Sequence, residues 1–433
     1  MRRVPKIEKA PLVTKRVRKD DDPKRILVET RSYKLITPLF GGGVVPKESD
    51  PVTVVRATEI RGHLRFWWRA TQGGRFDGDI KEMRREEARL WGSAASGKDN
   101  KGGPSKVSVT LKNWDADKSQ LIPFNESGRE VRGNEIPAYA AFPLQPSRDD
   151  VREKKPLKGV RPGVSFTIEV SYPQVDQAAV QATFWAWETF GGLGSRTRRG
   201  FGAIQRTDLP NPRSSEILKT IQDGLTRHVA EGKPPEGVPH LQRGTSMVRV
   251  TRASQSCVQT WNHLIGRLRT FRQYRVDKDT GQYKAQGKSV WPEPNAIRSV
   301  TSSTRSRIAE GPFPRAVFGL PIIFHFPQDK GKTPDETLTG RGQINRLASP
   351  LILRPYACDG NEFVGVAILL NAPRTPPDGL SLEGSGLRSF SGEANDRPLS
   401  PQEAKAIHPL GGNPDVLMAF LDWVTKEEGA TRR

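Results

Sequence analysis

Cysteine is nearly missing from this chain: 433 residues include two, Cys257 and Cys358, far apart and without a CxxC neighbour. That excludes a zinc module and the disulfide framework of small secreted domains. No run of about 18 apolar residues occurs, and the N-terminus lacks the apolar segment of a secretory signal, so a soluble, cytoplasmic protein without a membrane partner is expected. A P-loop is also absent, because five residues rather than four separate Gly281 from Gly287-Lys288-Ser289, and no GxGxxG occurs. No cofactor and no metal site are expected. Acidic residues are the last shortage: 48 Asp and Glu face 69 Lys and Arg, a net charge of +21. An excess of that size favours a polyanionic partner, nucleic acid before an anionic membrane.

The length suits two domains, each with its own core. Residues 1–25 mix Lys, Arg and Pro with Asp20, Asp21 and Asp22, and read as a flexible basic arm. From Ile26 to Thr37 the chain alternates around Val28, Thr30, Ser32, Lys34 and Ile36 as a strand, which Pro38 ends. A helix is expected over 58–71 with Thr58 as its N-cap, and another over 80–91. Strands fit 107–111, 164–170 and 201–205, residues 140–160 read as a loop, and 176–190 has the spacing of an amphipathic helix, with Val180, Phe184 and Trp187 on one face and Gly191-Gly192 at its end. This order, β-α-β-β-α-β, is the ferredoxin-like plan. The Pro-rich stretch 207–244 reads as a connection containing a short helix. A second, degenerate unit is expected over 245–433, with a helix over 256–274 (Val258, Trp261, Ile265, Leu268, Phe271), strands over 316–326, 350–354 and 363–370, a Pro/Gly-rich segment over 376–413 and a closing helix over 416–424. The fold class is therefore α+β: two ferredoxin-like (RRM-like) domains, 26–206 and 245–433, with helices on antiparallel sheets and long loop insertions.

Three segments carry recognisable chemistry. On the first helix, Ile60, Leu64, Trp67 and Trp68 share one face, while Arg61, Arg65 and Arg69, with Arg56 before them, form an adjoining ridge whose planar forks suit phosphate oxygens. Between Phe190 and Gly202 lies a loop with Gly192, Gly194, Ser195, Arg196, Arg198, Arg199 and Gly200. Its glycines allow positive φ and close backbone approach, so consecutive N–H groups can line an anion-binding concavity. Gly41, Gly42 and Gly43 precede the first helix, whose N-terminus favours anions.

These segments together, Thr37-Pro38-Leu39-Phe40-Gly41-Gly42-Gly43, Ile60 to Arg69 and Gly192 to Gly202, resemble the RAMP superfamily of CRISPR proteins, and within it the first subunits of type III-B Cmr complexes. Phe318-Gly319-Leu320-Pro321 and Ala348-Ser349-Pro350-Leu351 extend the likeness, which covers roughly residues 26–370. The resemblance implies two ferredoxin-like domains and a place at the head of a ribonucleoprotein near the 3′ end of the guide. It also implies guide RNA, target RNA and other RAMP subunits as partners, with target cleavage belonging to a different subunit.

Two rivals stay open. In an RNA-cleaving enzyme, His63 or the loop carboxylates Glu48 and Asp50 would do acid/base work on the ribose hydroxyl and leaving oxygen. In a pure assembly subunit, the charge would only neutralise neighbours. No catalytic residue is assigned.

Overall fold

The computed structural model describes residues 25–426 apart from positions 44, 46, 49, 51 and 156 and the stretches 95–101, 117–120, 126–134, 303–307, 330–331 and 385–389. Of the basic arm, all but Arg25 lies outside the described residues. The first half contains β1 (Ile26–Leu35), α1 (Ala57–Gln72), α2 (Ile80–Trp91), β2 (Ser108–Ala116), β3 (Val164–Pro173), α3 (Gln177–Phe190) and β4 (Ile204–Arg206). Its antiparallel sheet has the order β2-β3-β1-β4. On β3, Val164, Phe166, Ile168, Val170 and Tyr172 alternate inward beneath α1 and α3. On β1 the inward set is Arg31, Tyr33 and Leu35, and the alternation through Val28 and Lys34 that marked the strand lies on the outer face. The misleading signal is Arg31, a buried cation among the carboxylates of Glu29 and Glu188, at 3.0 and 2.9 Å. Burying it requires those partners, and a polarity pattern alone places such a residue outside.

Helix α1 begins at Ala57, with Arg56 in the cap position and no side-chain cap, so Thr58 does not cap it. The 140–160 stretch includes two short helices, Ala138–Ala141 and Arg148–Arg152, the latter closed by a Ser147/Asp150 capping box.

The connection is a packed element rather than a linker. Its α4 (Ile217–His228) buries Ile217, Ile221 and Leu225 in the same apolar cluster as α1 and α3. The second half then supplies β5 (Val248–Val250), α5 (Cys257–Arg272), β6 (Leu351–Ala357), β7 (Phe363–Leu369) and α6 (Val416–Val424), with the antiparallel order β6-β7-β5. Both faces of this sheet are covered. Ile352, Val364, Val366 and Ile368 enter the core shared with the first half, while Leu351, Leu353, Ala367 and Leu369 face α5 and α6. Strands β6 and β7 are accordingly almost continuously buried runs, as two covered faces demand. Two independent cores were expected; instead one face of the buried sheet joins the core of the first half while its other face forms a second cluster with α5 and α6, in layers of open sheet, helices, buried sheet and helices.

A third cluster sits in the insertion, where strands at 308–309, 322–324, 336–340, 380–384 and 391–394 form a five-stranded sheet with the helix Glu293–Ser302. The expected strand over 316–326 is a 3-10 turn, Pro314–Phe318, followed by the short strand Ile322–Phe324. Segment 376–413 holds two strands and the helix Pro401–Ala406 despite its glycines and prolines. Strands of four or five residues leave too little periodicity to be seen in sequence.

Candidate nucleic-acid interface

The start of α1 meets both glycine segments. Arg56 donates to the Gly42 carbonyl, and Glu59 Oε1 accepts the Gly194 N–H at 2.8 Å. The Ser195 N–H donates to Phe40 O at 2.7 Å. Gly41 lies against Ser195 and Gly42 against the Glu59 carboxylate, both glycines with positive φ.

These bonds narrow the expected anion concavity by using up part of its donors. The N–H groups of Leu193, Gly194, Ser195, Arg199, Gly200 and Gly202 all have protein acceptors, and the Gly43 N–H bonds Glu48 O. A carboxylate, Glu59, already occupies the position next to the glycines where a phosphate was expected. The glycines act through close approach. An added Cβ would lie 2.4 Å from Trp261 Nε1 at Gly200, and 2.6 Å from the Leu39 side chain at Gly194. At Gly192 it would lie 2.6 Å from a backbone carbonyl.

The arginines divide into two kinds. Arg65 and Arg69 both reach the buried carboxylate of Glu87 on α2, at 2.8 and 2.5 Å. Arg61, exposed on the preceding turn, and Arg56, bonded to a carbonyl, pair with no carboxylate among the described residues. The ridge is therefore interrupted by an acid that its sequence spacing does not reveal.

In the loop, Arg198 donates to Ser349 O and lies over the Phe66 ring at 5.4 Å; Arg199 donates to Leu351 O at 3.1 Å and Phe318 O at 3.2 Å. Two of the three loop arginines thus fasten the first half to the second. Trp261 returns the tie through an Nε1 bond of 2.8 Å to Arg199 O, and Thr37 Oγ1 donates to Gly200 O at 2.6 Å. Phe318–Pro321 and Ala348–Leu351, noted in sequence for their likeness alone, provide several of these acceptors.

Carbonyl acceptors orient a guanidinium without cancelling its charge. Among the described residues no carboxylate pairs with Arg196, Arg198, Arg199 or with Arg272, the last residue of α5. Arg272 donates to Tyr139 Oη at 2.8 Å, and its Nε is buried without an acceptor. Burial, and then the like charge of Arg272, push the Arg199 pKa down to about 9, so it remains a cation at neutral pH. Arg196 is the exposed member. It holds one weak bond, 3.3 Å to Ala140 O, and sits in the left-handed region at φ 58°. A non-glycine residue held there is strained, and such strain clusters at functional positions.

Arg272, Tyr139, Glu59 and Glu87 were not singled out in sequence. Arg272 shares a helix with other arginines, and nothing in its spacing marks it. Arg354 was missed as well: fully buried, it bonds the carbonyls of Glu188, Gly191 and Ile204 at 3.0, 2.7 and 2.6 Å.

The rival catalytic groups have other partners. Asp50 Oδ1 accepts the N–H groups of Val52 and Thr53, both at 2.8 Å, and these bonds hold its pKa below the usual carboxylate range. His63 Nε2 lies 3.9 Å from Glu59 Oε1, whose stronger bond is to Gly194. No helix among the described residues is long and apolar enough to cross a membrane.

Comparison with known proteins agrees with the segments that carry the site. Residues 32–205 match the RAMP superfamily. Over that span the chain is similar to RAMP-superfamily CRISPR proteins. It resembles the first subunit of Cmr complexes: it is 26% identical over 181 residues to the CRISPR system Cmr subunit Cmr1-2 of Pyrococcus furiosus, covering 39% of this chain and 90% of that one. Among solved structures, Cmr1 from Pyrococcus furiosus in its apo form has a TM-score of 0.45 at 16% identity, with 84% of this chain and 93% of that chain covered. A chain of the type III-B Cmr-beta complex bound to cognate target RNA has a TM-score of 0.42 at 12% identity, with 92% and 99% covered.

Proposed function

We propose that this chain is a non-catalytic RNA-binding subunit of a type III-B CRISPR ribonucleoprotein, standing at the head near the 3′ end of the guide RNA and helping to capture target RNA. Guide RNA, target RNA and the other RAMP subunits are its partners. The observation that carries the reading is the group Arg196, Arg198, Arg199 and Arg272, four cations paired with no carboxylate among the described residues, in a chain of net charge +21. A phosphate backbone supplies the missing counter-charge, and guanidinium forks suit its oxygens. The similarity to a Cmr subunit supports the assembly. Both halves are read as ferredoxin-like, the first from its four-strand order and the second as a degenerate copy with three strands and two helices. Arg56, Arg61, Arg196 and Arg272 are the proposed phosphate contacts, while Arg198 and Arg199 hold the seam and add field.

Fluorescence anisotropy with single-stranded RNA tests this. Log affinity should fall linearly with log salt, by about 0.7 per neutralised phosphate. The same RNA should emerge uncut after incubation with and without magnesium. A flat salt response sinks phosphate binding, and metal-dependent or metal-free cleavage sinks the non-catalytic assignment.

A further inference from the structure

Beyond the end of β5 a cleft of about 660 Å³ opens between residues 250–254, one face of α5 and the end of α6. That volume lies within the range of roughly 300–1,000 Å³ typical of small-ligand sites. Its wall is mixed in character. Thr251, Ser254, Gln259 and Thr260 provide hydroxyls and an amide, Arg252 and Lys426 provide positive charge, and His263 adds an imidazole. Val250 and Val424 contribute the apolar part, and among the described residues no carboxylate and no ring of Phe, Tyr or Trp lines the cleft.

Thr260 points to a ligand. It is 4% exposed and lines the cleft, yet its Oγ1 is buried without a hydrogen-bond partner. Buried hydroxyls in native proteins are nearly always bonded, so one left open in a cleft wall calls for an occupant that bonds it. Gln259 on the previous position accepts the Ser254 hydroxyl through Oε1 at 3.3 Å, which leaves its amide N–H₂ to donate.

We infer that this cleft is a second RNA contact, separate from the arginine group, that holds one ribose-phosphate unit of the backbone. The lining fits that chemistry: cations and an amide for phosphate oxygens, hydroxyls for the ribose, and no aromatic surface on which to stack a base. Recognition here is consequently independent of sequence. The inference rests on the RNA-binding reading and adds a contact on the second half of the chain.

The test uses the full chain with single-stranded RNA carrying 4-thiouridine, photo-crosslinked and mapped by peptide mass spectrometry. Crosslinks are expected in peptides holding residues 250–263 as well as in the loop around Arg196. Thr260→Val should lower RNA affinity by about fivefold, the worth of one hydrogen bond, with an unchanged or higher melting temperature. The surface pair Gln259→Leu/Lys426→Ala should lower it at least as much and keeps the test independent of the buried position. Competition by uridine 5′-monophosphate would show that a free nucleotide also enters; absence of competition would show that the connected strand is required. Loop crosslinks without any at 250–263, together with parental affinity in both variants, overturn the cleft and spare the RNA-binding reading. Absence of crosslinks everywhere, with no RNA retained, overturns both.

Discussion

Arginines 65 and 69 on α1 and arginines 196, 198, 199 and 272 at the seam look alike in sequence, as basic residues close to glycine or aromatic neighbours. Their surroundings are opposite. The first pair shares the buried carboxylate of Glu87, so half its charge is answered inside the protein. The second group is bonded to carbonyls and one phenol, which fix direction and leave the charge whole. What separates a binding arginine from a structural one here is the identity of the acceptor, and a carbonyl can make one residue serve both purposes. Arg354 marks the structural extreme, fully buried with four carbonyl acceptors.

Substitutions can sharpen this contrast. The largest effect is expected from Arg354→Ala, which strips four buried carbonyls of their donor, three of them across the shared core; urea unfolding should report a loss of about 3–5 kcal/mol. Next is Gly200→Val, which brings a side chain against Trp261 at a φ of 84° and should lose about 2–4 kcal/mol in the same measurement. Gly194→Val should likewise damage folding first and binding only as a result, because its Cβ meets Leu39 and Phe40. The double change Arg65→Ala/Arg69→Ala leaves Glu87 buried without a cation. A loss of about 1–3 kcal/mol is expected, reduced by the partial exposure of both arginines, with little change in the salt dependence of RNA binding. Smallest in stability is Arg196→Gly, which relieves the left-handed strain and should raise stability by about 0.5–1 kcal/mol while weakening RNA binding. If the α1 pair instead carried the RNA affinity and Arg196 the stability, the contrast would be reversed.

Much of the first half was legible in sequence because its signals are local. The apolar stripe Ile60, Leu64, Trp67 and Trp68 is buried as its spacing requires, and Val180, Phe184 and Trp187 lie on the inner face of α3. The convergence of the three glycine and arginine segments was anticipated only as separate candidates. What brings them together, Glu59 binding Gly194 across 135 positions, is a long-range contact that no spacing encodes. The same holds for Glu87, which reads as one acid in a charged helix until α2 folds against α1. The open face of the first sheet adds a lesson about likeness. On β1 and β3 it presents Val28, Thr30, Ser32, Lys34, Ser165, Thr167, Glu169 and Ser171, with no aromatic ring for stacking bases, so the strand order β2-β3-β1-β4 does not bring an RRM-like surface on these strands. In the second half the insertion hid a whole sheet, because strands of two to five residues separated by Gly and Pro fall below the length at which alternation can be counted.

The most direct test of the central claim compares the salt dependence of RNA affinity in the parent, in Arg196→Ala/Arg272→Ala and in Arg65→Ala/Arg69→Ala, each shown to be folded by circular dichroism. With the acid-free group as the phosphate contact, the first variant should lose affinity and lower the log–log slope by about 0.7 for each contact removed, while the second keeps the parental slope. A parental slope in Arg196→Ala/Arg272→Ala, or the larger drop in Arg65→Ala/Arg69→Ala, would contradict it.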